Sequence, residues 1–156
     1  MGSVVSEGEL VGVVARDRAV GRTIALANGC FDVLHVGHVR YLQGAAAEAD
    51  RVIVAVNDDE SVRTLKGVGR PILTAADRAE LVAALRGADY VVIFREATVE
   101  RLLTLLKPDV HCKGTDYAVE SVPERAVVEA YGGRTAIVGD AKLHSTRDLV
   151  ARLSRG

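Results

Sequence analysis

Two histidines three residues apart, His35 and His38, follow an Asn28-Gly29 turn and open a stretch with helical apolar spacing from Val36 onward. On a helix entry, residues three apart share one face. Such an entry exposes backbone N–H groups at the positive end of the helix dipole, which makes it an anion site. Two imidazoles beside it can donate to phosphate oxygens and stabilise charge that develops there. Gly37 removes side-chain bulk between the histidines, and Gly29 lets the backbone turn and approach a ligand closely. A zinc reading is weaker, because it lacks a third and fourth ligand and Cys30 stands at no standard spacing. No metal ligated by protein side chains is expected.

Further candidates follow the other apolar runs. Asn57 and Asp58 close the run Arg51 to Val56, and Lys66 and Arg70 come shortly after. Arg63 to Arg70 holds three basic residues and no acid, a local cationic loop suited to phosphates. Spacing alone leaves a solvated loop equally open for Lys66 and Arg70. Gly67-Val68-Gly69 is followed by Pro71 rather than a helix with a third glycine, so it is no dinucleotide fingerprint. Lys113, Gly114 and Asp116 follow another short run, with a structural Lys113–Asp116 pair as the plain alternative, while His111 and Cys112 read as core. Ser145 and Thr146 open a last helix and offer hydroxyls at its positive end.

The elements that must position these residues alternate between strands and helices. A capping box at Ser6 and Glu9 starts a helix to about Ala19. Strands are expected at 23–27, 51–56, 90–94, 109–112 and 135–138. Helices are expected at 36–49, 75–86, 98–106, 123–131 and 145–153. The continuous β-branched run of Arg51 to Val56 marks a strand covered on both faces. Alternating strands and helices imply βαβ units and a parallel sheet, whose ligands bind at the carboxyl ends of the strands.

Composition narrows the classes. The chain has 156 residues and a formal net charge of −1, and aromatics make up 4% with no Trp. That balance disfavours a partner made of many phosphates and a base-stacking platform, so no nucleic acid is expected. No apolar run approaches the roughly 20 residues that span a bilayer, and the N-terminus lacks a basic leader, so no membrane is expected. Two cysteines are too few for a disulfide framework, which suits a reduced, cytoplasmic setting. One domain is expected over 1–156, with a helical lead-in at 1–22 and the core at 23–153.

The string Gly29-Cys30-Phe31-Asp32 through His35, Gly37 and His38 resembles the phosphate-binding motif of the cytidylyltransferase-like nucleotidyltransferases, whose core is H-x-G-H. The resemblance runs from Thr23 to Leu153. With Leu65 to Pro71 and Lys113 to Tyr117, it is most similar to the adenylyltransferase domain of ADP-heptose synthases. It implies an α/β fold, a Rossmann-like doubly wound parallel sheet of about five strands. It also implies transfer of AMP from ATP to D-glycero-β-D-manno-heptose 1-phosphate, with Mg²⁺ held mainly by the nucleotide phosphates. His35, His38 and Lys66 are then the catalytic residues. Gly29, Cys30, Phe31, Asp32, Gly37, Ser145, Thr146 and Arg147 hold nucleotide and phosphates, with Asp32 ordering the histidine loop. Asn57, Asp58, Arg70, Lys113, Gly114 and Asp116 line the pocket. Arg147 departs from the family's small hydroxyl residue at that position. Relatives are commonly homodimers, and some carry a fused sugar kinase, which at this length would have to be a separate protein. A CTP-dependent enzyme acting on glycerol 3-phosphate, a non-catalytic nucleotide-binding module and a structural partner domain are the alternatives.

Overall fold

The computed structural model describes residues 1–140 and 146–155. Its elements run β1 (Ser3–Val4), α1 (Glu7–Ala19), β2 (Ile24–Gly29), α2 (Val36–Ala46), β3 (Arg51–Asn57), α3 (Asp59–Lys66), α4 (Ala75–Ala83), β4 (Tyr90–Phe94), α5 (Glu100–Leu106), β5 (Val110–Lys113), α6 (Arg125–Ala130), β6 (Arg134–Ile137) and α7 (Thr146–Arg155). A 3-10 turn, Val119–Ser121, precedes α6. The six strands form one sheet of order β1-β4-β3-β2-β5-β6, and every pairing is parallel. The chain winds outward from β2 in both directions, so the switch point lies between β2 and β5.

The side-chain period of two along the strands builds two cores. Ala25, Ala27, Val52, Val54, Val56, Val91 and Cys112 face one layer, with Leu42 of α2 and Ala79 and Val82 of α4. Ile24, Leu26, Ile53, Ala55, Val92 and Phe94 face the other, with Leu10 of α1, Leu102 and Leu103 of α5 and Val128 of α6. A Cβ on Gly44 would lie 2.8 Å from the Val138 Cβ, so glycine is what lets α2 sit against the segment leaving β6. Among the described residues no helix is long and apolar enough to cross a membrane.

The structure adds two elements to the expected set. The sixth strand, β1, is two residues long, too short for a periodic signal, and pairs with the outer edge of β4. The second is α3, where a cationic loop was expected. Arg63 and Lys66 lie in its last turn, where cations suit the helix dipole, and Asp58 caps its start by accepting from Ser61 N. Gly67 ends it at φ 100° and ψ −179°, a conformation essentially reserved for glycine.

Leu103 and Leu105 sit two residues apart on α5, the first fully buried and the second 47% exposed. Leu103→Ala is expected to lower unfolding stability by about 2–5 kcal/mol, and Leu105→Ala by less than about 0.5 kcal/mol. Urea denaturation of the two variants checks the assignment of α5 to the second core.

Candidate active site

The two histidines cap their own helix. His35 is the N-cap of α2, and its Nδ1 accepts the Gly37 N–H at 3.0 Å. The His38 Nδ1 accepts the His35 N–H at 3.2 Å, so the pair forms a reciprocal capping box made of imidazoles. This arrangement selects a tautomer. A neutral ring whose Nδ1 accepts a hydrogen bond carries its proton on Nε2, so each ring presents an Nε2–H donor. The rings lie 4.0 Å apart between centroids, and His38 is backed by the buried Phe31 at 5.4 Å. The Gly37 amide, at the helix entry, is thereby engaged by His35.

The loop leading to the histidines is strained and fastened. Phe31 and Val33 have φ of 51° and 54°, which is rare for non-glycine residues and strongly disfavoured for a β-branched valine. Strain of this kind persists only where the surroundings over-determine it. Asp32, buried between them, supplies that fastening. Its carboxylate accepts from Arg70 Nε at 2.8 Å, Ile72 N at 2.7 Å and Leu73 N at 3.0 Å. Burial pushes its carboxyl pKa up, but these hydrogen bonds and the Arg70 charge outweigh it and hold the group below the ordinary carboxylate range. Asp32 thus orders the histidine loop by tying it to the segment between α3 and α4. Arg70, expected to line the pocket, is mostly buried with its Nε on Asp32.

Beneath the loop lies Arg78 of α4, fully buried. Its Nη1 donates to the carbonyls of Cys30 at 2.6 Å and Asn57 at 2.7 Å, its Nε to the Leu73 carbonyl at 3.0 Å, and its Nη2 to Asp59 at 2.9 Å. One guanidinium thereby joins the ends of β2 and β3, the first turn of α3 and the lead-in to α4. Sequence reasoning missed it. The available signal was a basic residue four positions before Val82, within the stripe that α4 buries. Asn57 is also internal: its Nδ2 donates to Ser61 Oγ and to the Glu96 carbonyl. Asn57 and Asp58 therefore shape the pocket edge from within, through a strand end and a helix cap.

Cys30 is half-buried beside this hub. Burial pushes its thiol pKa up, and the charges of Lys66, Arg78 and Arg70 oppose that rise. Lys66 is exposed at the end of α3, so its charge reaches the end of β2, where the histidine loop begins. On the other side of β2 lies the segment from Lys113 to Tyr117. The Lys113 ammonium lies 4.6 Å from the centre of the Tyr117 ring. Thr115 Oγ1 donates to the Asp140 carbonyl, and Asp140 pairs with Arg40 of α2 at 2.7 Å. The Lys113–Tyr117 loop is thus tied to the segment that leads toward α7. Ser145 lies outside the described residues, while Thr146 and Arg147 open α7. Among the described residues, no group of three or more His, Cys, Asp or Glu could hold a metal ion.

A Rossmann-like α/β sheet with an imidazole-capped helix at its carboxyl edge defines a class in which anionic ligands meet the strand ends. The chain belongs to the cytidylyltransferase-like family, whose model matches residues 26–151. Among curated proteins, it is 47% identical over 146 residues to the bifunctional protein HldE of Geobacter metallireducens, covering 94% of this chain and 30% of that one. It is 50% identical over 136 residues to the bifunctional protein HldE of Pseudomonas aeruginosa, covering 87% of this chain and 29% of the relative. The chain thus spans under a third of the length of these two relatives. A lipopolysaccharide core biosynthesis protein from Thermoplasma volcanium superposes with a TM-score of 0.68 at 23% identity, covering 78% of this chain and all of that one. That likeness concerns the fold.

Two tests follow from the fastening. Arg78→Lys keeps the charge but replaces five planar donors with a single ammonium, leaving carbonyls unpaired. It is expected to lower stability by about 3 kcal/mol in chemical denaturation, since each orphaned buried acceptor costs about 1–3 kcal/mol. Asp32 contributes stability above its unfolded pKa of about 3.9, and that contribution is lost as pH falls through its lower folded value. Asp32→Asn is therefore expected to be destabilised by about 3 kcal/mol at pH 7. The gap to the wild type should narrow below about pH 4 in thermal unfolding series.

Proposed function

We propose that this chain catalyses nucleotidyl transfer, moving AMP from ATP to a sugar 1-phosphate and releasing pyrophosphate. The acceptor in this reading is D-glycero-β-D-manno-heptose 1-phosphate. The observation that carries it is the His35–His38 box, with its paired Nε2–H donors at the carboxyl edge of the sheet. The 45–50% identity to proteins named HldE supports the choice of acceptor, because the motifs match the adenylyltransferase domain of ADP-heptose synthases.

The acceptor phosphate is already an anion at neutral pH and needs no general base. Its oxygen attacks the α-phosphorus in line, the new P–O bond forms, and the bond to the departing pyrophosphate breaks. Catalysis then rests on positioning and charge stabilisation. His35 and His38 donate through Nε2–H to the phosphate oxygens on which charge grows. Lys66 offsets repulsion between the two incoming anions, and Lys113 extends positive charge across the crevice. Ser145, Thr146 and Arg147 hold the distal phosphates at the start of α7. Mg²⁺ would be held by those phosphates and would neutralise part of their charge. A cytoplasmic setting and a homodimer belong to the same reading.

His38→Ala is expected to lower pyrophosphate release from ATP plus the heptose 1-phosphate by at least about 10²-fold, the order found on losing one transition-state donor. A pyrophosphate-release assay of the wild type and the variant, run with ATP and CTP against heptose 1-phosphate and glycerol 3-phosphate, decides both donor and acceptor. Turnover by CTP with glycerol 3-phosphate alone would replace the heptose reading. Undiminished turnover in a folded His38→Ala would remove the histidine assignment.

A further inference from the structure

The last rung of the β2–β5 pairing, at the switch point, is held by a side chain from above. The Tyr41 hydroxyl of α2 accepts from the Asn28 N–H at 3.2 Å and donates to the Cys112 carbonyl at 2.5 Å. Asn28 is gripped a second time, through its side chain. Its Oδ1 lies 2.8 Å from Nε2 of His111, the neighbouring residue on β5. His111 is completely buried, and burial, aided by the Lys113 charge, pushes its pKa down to about 3, so it stays neutral.

The proton of that neutral ring can be placed. The Glu124 carboxylate lies 4.0 Å from Nε2, which favours the proton there. Nδ1 is buried without a hydrogen-bond partner, and an orphaned N–H is rarer in proteins than an orphaned acceptor. His111 therefore donates through Nε2–H, and Asn28 must offer its oxygen. This fixes the carboxamide the other way round on its far side: Nδ2, with two N–H donors, has no partner among the described residues. Asn28 is only partly buried, at the carboxyl end of β2 and one residue before the glycine that opens the histidine loop.

We propose that Asn28 contacts substrate, its Nδ2 donating to an oxygen of the ligand in the crevice between β2 and β5, and that His111 is a positioning residue that sets which end of the amide faces that ligand. Without the His111 donor the amide can turn over and present its oxygen to an anion. The inference rests on the nucleotidyl-transfer reading and adds a contact to it. The ligand oxygen belongs either to the nucleotide or to the phosphorylated acceptor, and the two are separated by measuring each alone.

Asn28→Asp is the discriminating variant, because it keeps the oxygen that His111 needs and replaces the donors with a carboxylate oxygen. A purely structural Asn28 tolerates this change. A ligand-contacting one is expected to show at least about a 10-fold rise in the Kd for ATP, read by calorimetry without acceptor, or in the KM for heptose 1-phosphate. Whichever constant moves names the ligand. His111→Gln, which retains an N–H donor, is expected to stay near wild type, whereas His111→Leu is expected to move the same constant as Asn28→Asp. If Asn28→Asp does not fold, Asn28→Ala is read for the same constants. An active wild type with both constants unchanged in the folded Asn28 variant overturns the contact. A wild-type-like His111→Leu overturns the positioning role. A wild type that binds neither ATP nor CTP and releases no pyrophosphate overturns the proposed function, and this contact with it.

Discussion

One buried cation sets the geometry of the site. A guanidinium in a protein interior is tolerated only when its donors are matched, and Arg78 meets that condition by drawing in three carbonyls and one carboxylate. Those acceptors come from three separate stretches of chain, at Cys30, at Asn57 to Asp59 and at Leu73, each of which ends or begins an element at the carboxyl edge. Strand ends are where ladder hydrogen bonds stop and carbonyls would otherwise face solvent or remain unpaired. Arg78 resolves that problem for β2 and β3 together, and in doing so fixes where the histidine loop departs. Asp32 then repeats the logic with the opposite charge, gathering two amides and a guanidinium from the segment that precedes α4.

The histidines illustrate how structure and chemistry share the same atoms. An N-cap is ordinarily filled by a small oxygen-bearing side chain. Here two imidazoles do that work with Nδ1, and the capping bond itself settles which nitrogen carries the proton. Helix capping and the placing of the proton on Nε2 are therefore a single property. The strained backbone at Phe31 and Val33 lies in the loop that leads into this helix start.

Much of this was legible in the sequence because it depends on local patterns. The β-branched run of β3, the capping box at Ser6 and Glu9 and the start of α4 at Ala75 all match the structure, and α1 and β4 end where expected. The histidine pair was legible as a helix entry for the same reason. What stayed hidden depends on partners distant in sequence. Arg78 looks like an ordinary helix arginine until Cys30, Asn57 and Leu73 converge on it. Arg70 looks like a free cation until Asp32, 38 residues away, claims it. Helix α3 was obscured because its eight residues bury little apolar surface, with Ser61 and Val62 its buried positions. Its start is marked only by a cap at Asp58 that also reads as part of a turn.

The two-residue strand β1 has a bearing on how the molecule behaves in a crowded solution. An unpaired strand edge is a template for another chain. The outer edge of β4 would be such a template, with the apolar sequence Tyr-Val-Val-Ile-Phe. Ser3 and Val4 pair with Tyr90 and Val91 along that edge, and Gly2 anchors the arm by donating to the Ala83 carbonyl at 2.8 Å. The segment preceding α1 therefore acts as a guard rail as well as a lead-in. It leaves the sheet flanked by strands of two and four residues, too short to recruit a neighbour efficiently.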